Sequence, residues 1–167
     1  MAKAQTHETR NDVKTNAKQV SIGVLQGCLA DGIDLYNATR QAHWNVKGAH
    51  FGSLHKLFEE FYTALALATD DLAERIVQLG GTACGTTQVL EKTTRLPPYP
   101  TDIYAGMDHV RALADRYAMV AKTLRDGIDQ TDEAGDADTA DLLTEQSRAT
   151  DKMLWMIEAH LGGDKAA

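Results

Sequence analysis

All three prolines of this 167-residue chain, Pro97, Pro98 and Pro100, fall within four positions. Proline lacks a backbone donor and clashes with the preceding helical turn, so helix is barred there and open everywhere else. The chain uses that freedom. From about Ala17 to Val46, the positions Val20, Val24, Leu25, Leu29, Ile33, Leu35 and Tyr36 recur at helical spacing. Gly48 supplies a stop. A second series runs from about Ser53 to Leu79, marked by Leu54, Phe58, Phe61, Leu65, Leu72 and Ile76, and Gly80-Gly81 ends it. Beyond the break, Met107, Val110, Leu113, Tyr117, Val120, Leu124 and Ile128 mark a helix over about 103–131. Leu142, Leu143, Met153, Leu154, Ile157 and Leu161 mark another over about 136–161, and 88–92 reads as a short helix inside the break.

This pattern predicts an all-α chain. A short link makes the first two long helices antiparallel neighbours, and the twenty-residue break can carry the chain along the bundle before the second pair. That is a ferritin-like four-helix bundle with a long crossover connection containing a short helix. The bundle spans 17–161, between a flexible polar N-terminal tail (1–16) and a short C-terminal tail (162–167).

Charge is uneven along the chain. The net charge is −7, with residues 1–18 at +2 from Lys3, Arg10, Lys14 and Lys18 against Glu8 and Asp12. An acidic body argues against a surface that binds nucleic acid throughout, but a basic arm is a candidate for weak phosphate contact. The four arm cations are therefore the candidate DNA-binding residues. Only Cys28 and Cys84 are present, too few for a disulfide framework, and no segment reads as a membrane span or secretory signal. A cytoplasmic protein with no membrane partner is expected.

The residues that carry chemistry are His43, His55, Glu59, Asp70 and Glu74. His55 and Glu59 are four apart on one helix, as are Asp70 and Glu74, so each pair shares a helix face. Imidazole nitrogen with carboxylate oxygen suits iron, and such mixed sets also accept zinc and other divalent metals. Taken singly, each residue reads more simply as an exposed face or an ion-pair partner. The case rests on the set.

Helix geometry constrains that set. Asp70 follows His55 by fifteen residues, which at about 1.5 Å rise per residue separates them by roughly 22 Å. One chain cannot bring both pairs to one metal ion. If they form one site, a two-fold axis laying two second helices antiparallel must bring Asp70 and Glu74 of one subunit opposite His55 of the other. Each dimer then has two such sites.

The stretch from Asp31 to Gly81 resembles the Dps family (DNA-binding protein from starved cells) of miniferritins. The resemblance lies in Gln41-Ala42-His43-Trp44-Asn45-Val46-Lys47-Gly48, then His55, then Asp70-Asp71-Leu72-Ala73-Glu74-Arg75-Ile76-Val77-Gln78-Leu79-Gly80-Gly81. It implies a hollow homo-dodecamer built from two-fold dimers. Ferroxidase sites would lie between subunits, with His43 and His55 from one subunit and Asp70 and Glu74 from the other. It implies oxidation of Fe(II) to Fe(III), typically by hydrogen peroxide, and storage of the ferric mineral, which protects DNA from oxidative damage. Glu59 stands where many relatives carry Asp, keeping the charge with a longer reach. Trp44 matches a tryptophan near the site, and Asp132, Asp136 and Asp141 match acidic residues that line three-fold iron-uptake pores.

Two rival readings frame the test. Intrasubunit di-iron bundles use Glu-x-x-His motifs, and no glutamate here has histidine three positions later. The other is a DNA-condensing architectural protein with a minor enzymatic role, in which many weak arms on one assembly act together.

Overall fold

The computed structural model describes residues 6–162. Lys3 and the segment 163–167 lie outside them. Among the described residues there are five helices: α1 (Thr15–Asn45), α2 (Phe51–Gln78), the short α3 (Thr87–Thr93), α4 (Gly106–Ala134) and α5 (Ala137–Glu158). Among the described residues there is no strand, only an isolated bridge between Lys47 and Ala105.

The long helices occupy the expected places, with shifted ends that have local causes. α2 starts at Phe51 because Gly48, at φ +102°, turns the chain tightly enough for its carbonyl to take the Phe51 amide. α4 starts at Gly106, three residues later than expected, because the Tyr104 carbonyl is already bonded to the Lys47 amide at 2.8 Å. It then runs on to Ala134, where Gly135 takes the left-handed φ of +87° and its amide closes on the Asp132 carbonyl at 2.9 Å.

α1 packs on α2 and α4, and α4 packs on α5, whereas α2 and α5 touch more sparsely. Leu25, Leu29, Leu35, Leu54, Phe58, Ile76, Leu113, Leu143 and Ile157 fill the core. Each large apolar side chain removed from water contributes about 1.5–3 kcal/mol. Most polar atoms inside the bundle are paired locally, although His109 Nε2 is buried without a hydrogen-bond partner. The Tyr117 and Thr39 hydroxyls meet at 3.1 Å between α4 and α1, and Thr39 also donates to the Leu35 carbonyl.

The crossover is held by a series of clamps. The Gln26 side chain bonds both the amide and the carbonyl of Cys84. Asp31, buried in α1, accepts from the Arg95 amide and guanidinium at 2.8–2.9 Å, and Thr94 donates to Asp34. Arg116 donates to the Pro97 and Pro98 carbonyls, and Tyr99 shares a 2.7 Å bond with buried His109. Burial holds His109 below the ordinary histidine pKa against the opposing pull of Asp108.

Within the segment expected as a tail, residues 6–14 are described and make contacts with the end of α2. α1 already begins at Thr15. The His7 amide donates to the Gly80 carbonyl at 2.7 Å, and the Thr9 hydroxyl reaches the Gln78 carbonyl at 3.4 Å. Gly80 permits this contact in two ways. Its φ is +87°, and a Cβ there would lie 2.6 Å from the His7 carbonyl oxygen.

Candidate metal centre

His43 ends α1 and His55 opens α2, and the turn between them folds the two rings face to face. Their centroids are 3.7 Å apart at 21°. The His43 Nδ1 lies 2.8 Å from the His55 carbonyl, and the His55 Nδ1 lies 2.8 Å from the His43 carbonyl. A carbonyl only accepts, so each Nδ1 carries the proton and donates. In the neutral ring that leaves Nε2 with a lone pair, the form of imidazole that binds a metal, oriented by a carbonyl behind it.

The backbone explains why the His43 carbonyl is available. Four residues on, the donor that would extend α1 is the Lys47 amide, and that amide turns away to Tyr104. Helix ends leave such carbonyls without intrahelical donors. Around the imidazoles, Tyr62 presents its edge to His43 at 5.2 Å and Phe51 lies tilted on His55 at 5.0 Å. Neither aromatic was singled out from the sequence. Tyr62 was findable as the residue seven after His55, two turns along the same side of the helix. His43 is buried and His55 half-buried.

The carboxylates are arranged differently. Glu59, Asp70 and Glu74 are all exposed, and among the described residues none has a side-chain hydrogen bond or ion pair. At 100° per residue, His55, Glu59, Thr63, Ala66, Asp70, Glu74 and Val77 fall within an arc of roughly 120° on α2. The same side leaves Leu67 and Val77 68% and 58% exposed, a large apolar surface for one helix. Among the described residues of one subunit, no three His, Cys, Asp or Glu side chains converge on a metal position. The structure brings His43 to His55 and leaves Asp70 and Glu74 apart from them.

Trp44 is 62% exposed, and the Arg40 guanidinium lies 4.7 Å above its ring. Arg40 also donates to the Tyr36 hydroxyl at 2.9 Å. Asp132 and Asp141, two of the three pore candidates, are exposed.

Asp136 corrects the third. Its side chain is 1% exposed and caps α5, accepting from the Thr139 amide at 3.2 Å and the Thr139 hydroxyl at 2.6 Å. The Arg75 guanidinium binds it at 2.8 Å and donates from Nε to the Thr139 hydroxyl at 2.9 Å. Burial works to raise the Asp136 pKa, but the Thr139 bonds, the Ser21 hydroxyl and Arg75 outweigh it and hold the carboxyl below its ordinary value. A carboxylate so engaged has no oxygen to offer a pore. Its position immediately after the left-handed Gly135 and three before Thr139 is the N-cap signal that the acidic run concealed.

Of the arm cations, Arg10 and Lys14 are exposed, while the Lys18 ammonium is bonded to the Asn11 carbonyl. Lys3 lies outside the described residues. No helix among the described residues is long and apolar enough to cross a membrane.

The ferritin-like domain family matches residues 22–167. The chain is 52% identical over 157 residues to the DNA protection during starvation protein of Agrobacterium fabrum, covering 94% of this chain and 97% of the relative. It is 34% identical to the protein of the same name from Helicobacter pylori, over 83% of this chain and 96% of the relative. Among solved structures, the fold is similar to a Dps protein of Vibrio cholerae, described as a member of a broad superfamily of ferritin-like diiron-carboxylate proteins. The TM-score is 0.86 at 31% identity, over 94% of this chain and 99% of that one. DpsC of Streptomyces coelicolor superposes with a TM-score of 0.90 at 26% identity, over 94% and 92% of the two chains.

Proposed function

The chain belongs to the Dps family of ferritin-like proteins, and from that premise we propose that it oxidises Fe(II) at sites shared between two subunits. The ferric product is stored in a hollow twelve-subunit shell, which spares DNA from oxidative damage. The observation that carries this reading is the reciprocal clasp of His43 and His55. It commits both Nδ1 atoms to carbonyls and leaves the two Nε2 atoms for a metal, while among the described residues of one subunit no third His, Cys, Asp or Glu completes a metal position.

Fe(II) is the substrate. His43 and His55 of one subunit bind it together with Asp70 and Glu74 of the other, and Glu59 adds negative charge one turn from His55. A two-fold axis near Thr63, midway between His55 and Asp70, makes the apposition and buries Leu67 and Val77. In the reaction, two Fe(II) each lose one electron to one hydrogen peroxide, which takes up two protons and leaves as two waters. Both reagents of hydroxyl-radical chemistry are thereby removed. Zinc competes for the same nitrogen and oxygen set. Asp132 and Asp141 draw Fe(II) to the three-fold pores, and Trp44 stands near the site, where it can intercept stray oxidising equivalents. DNA contact through the arm is secondary, because Lys18 is already engaged and Glu8 and Asp12 offset Arg10 and Lys14.

The test is anaerobic Fe(II) loading followed by peroxide, comparing the wild type with His43→Ala/His55→Ala, while light scattering follows assembly. Rapid oxidation to a soluble ferric product should be lost in the variant with the shell intact. Equal oxidation in both proteins would make the histidines structural and bring the architectural reading forward.

A further inference from the structure

The stacked imidazoles touch two further rings, Phe51 on His55 at 5.0 Å and Tyr62 on His43 at 5.2 Å. Of the two, only the phenol gives up an electron readily, because losing its hydroxyl proton at the same time leaves a neutral radical. Behind Tyr62 stands Tyr36, edge to face at 6.0 Å. The Arg40 guanidinium lies over both Tyr36, at 5.1 Å, and Trp44, at 4.7 Å, and it also donates to the Tyr36 hydroxyl. A fixed positive charge beside a ring makes it harder to remove an electron from that ring. Arg40 therefore disfavours oxidation of Tyr36 and Trp44, whereas among the described residues no cation lies over Tyr62. Tyr62 is half-buried, and its hydroxyl makes no hydrogen bond among the described residues yet is not sealed from the subunit surface. Its proton can leave to water.

We propose that Tyr62 is an electron donor to the metal site, supplying the second electron when hydrogen peroxide meets a site that holds a single Fe(II). This inference rests on His43 and His55 binding Fe(II). Peroxide takes up two electrons on its way to two waters, and one Fe(II) provides only one, which leaves a hydroxyl radical. Tyr62 closes that gap. One Fe(II), one peroxide, one proton and the Tyr62 phenol give one Fe(III), two waters and the Tyr62 phenoxyl radical. The O–O bond breaks, iron and tyrosine each lose one electron, and the phenol proton ends in water. A later Fe(II) returns the radical to phenol, with uptake of one proton and formation of Fe(III). Tyr36 packs on the Tyr62 ring, and Trp44, beneath Arg40, is left for oxidising equivalents that escape.

The assay loads the assembled protein anaerobically with one Fe(II) per site, adds one equivalent of hydrogen peroxide, and follows freeze-quenched samples by electron paramagnetic resonance. A spin trap for hydroxyl radical runs in parallel. The wild type should give a tyrosyl signal that narrows when the protein carries ring-deuterated tyrosine. Tyr62→Phe should lose that signal and release more trapped hydroxyl radical, which a merely structural role for the ring does not predict. Trp44→Phe should keep the signal. In the wild type a nitroso trap should mark Tyr62 in peptide mass spectra, a measurement that serves if Tyr62→Phe does not assemble. His43→Ala/His55→Ala separates the two readings. Oxidation at the wild-type rate in that variant would remove the underlying site, whereas lost oxidation there beside a full tyrosyl signal in Tyr62→Phe would sink this inference alone. No tyrosyl signal in the wild type, loss of the signal in Trp44→Phe, or an adduct on another tyrosine would each overturn the proposal.

Discussion

The two ends of α2 carry the same chemistry to opposite degrees of order. At its start, His55 is fixed by a carbonyl, a stacked imidazole and Phe51, and at its far end Asp70 and Glu74 make no side-chain hydrogen bond or ion pair among the described residues of their own subunit. The contrast follows from the donors. A neutral imidazole has one lone pair in one direction, so it binds well only when its tautomer and ring angle are set in advance. A carboxylate offers about four lone-pair sites on a rotatable stem and can adjust when a partner subunit arrives. The chain's local structure orients the candidate donor that needs it.

The sharpest way to break this comparison is to separate the two halves onto different subunits. Shells made of His43→Ala/His55→Ala alone, or of Asp70→Asn/Glu74→Gln alone, should not oxidise Fe(II) rapidly. Shells co-assembled from an equal mixture should recover about a quarter of the sites, because half the dimers are mixed and each mixed dimer rebuilds one of two. Stopped-flow oxidation rates of the mixture check this, and no recovery would place each site within one subunit.

A smaller effect concerns the buried pair that fastens α2 to α5. Asp136→Asn should lower stability by about 2–4 kcal/mol at neutral pH, since it leaves Arg75 without its buried counter-charge. Because the folded carboxyl titrates below its ordinary value, this contribution is full above the unfolded-state aspartate range and is lost as pH falls through the lower folded pKa. Thermal unfolding of both proteins from pH 7 down to pH 3 should show the gap closing. A gap independent of pH would mean that the charge is not what stabilises.

The smallest effect tests the adaptable half. Glu59→Asp shortens the reach by one methylene on an exposed side chain, and should change the initial oxidation rate by no more than about threefold, or roughly 0.6 kcal/mol. A hundredfold loss would show that Glu59 is held as rigidly as the imidazoles.

Much of the architecture was legible because helical periodicity is local. The series ending in Ile76 and Leu79 and the three clustered prolines specify where helix forms and where it stops. The candidate donors His43, His55, Asp70 and Glu74 were visible as residue types, but of these the structure of one subunit brings only His43 and His55 together. The helix ends were less so. Gly106 replaces Ile103 as the start of α4 because a backbone bond from Lys47, 57 residues earlier, holds Tyr104 in an extended segment. Asp136 was misread for a related reason. In an acidic run every carboxylate looks alike, and only the arrival of Arg75 from another helix marks one as buried.

The sequence by itself determined four long helices, a crossover, and two candidate donor pairs too far apart on one helix to meet, because hydrophobic period and helical rise depend only on neighbours along the chain. The tertiary structure decided which lone pairs stay free and which charges are already spent. The Nδ1 protons of His43 and His55 are committed by carbonyls on the opposite helix, and Arg75 is committed by a carboxylate sixty-one residues away. Those commitments are short-range and directional, so they exist only once packing has brought the partners within hydrogen-bond distance.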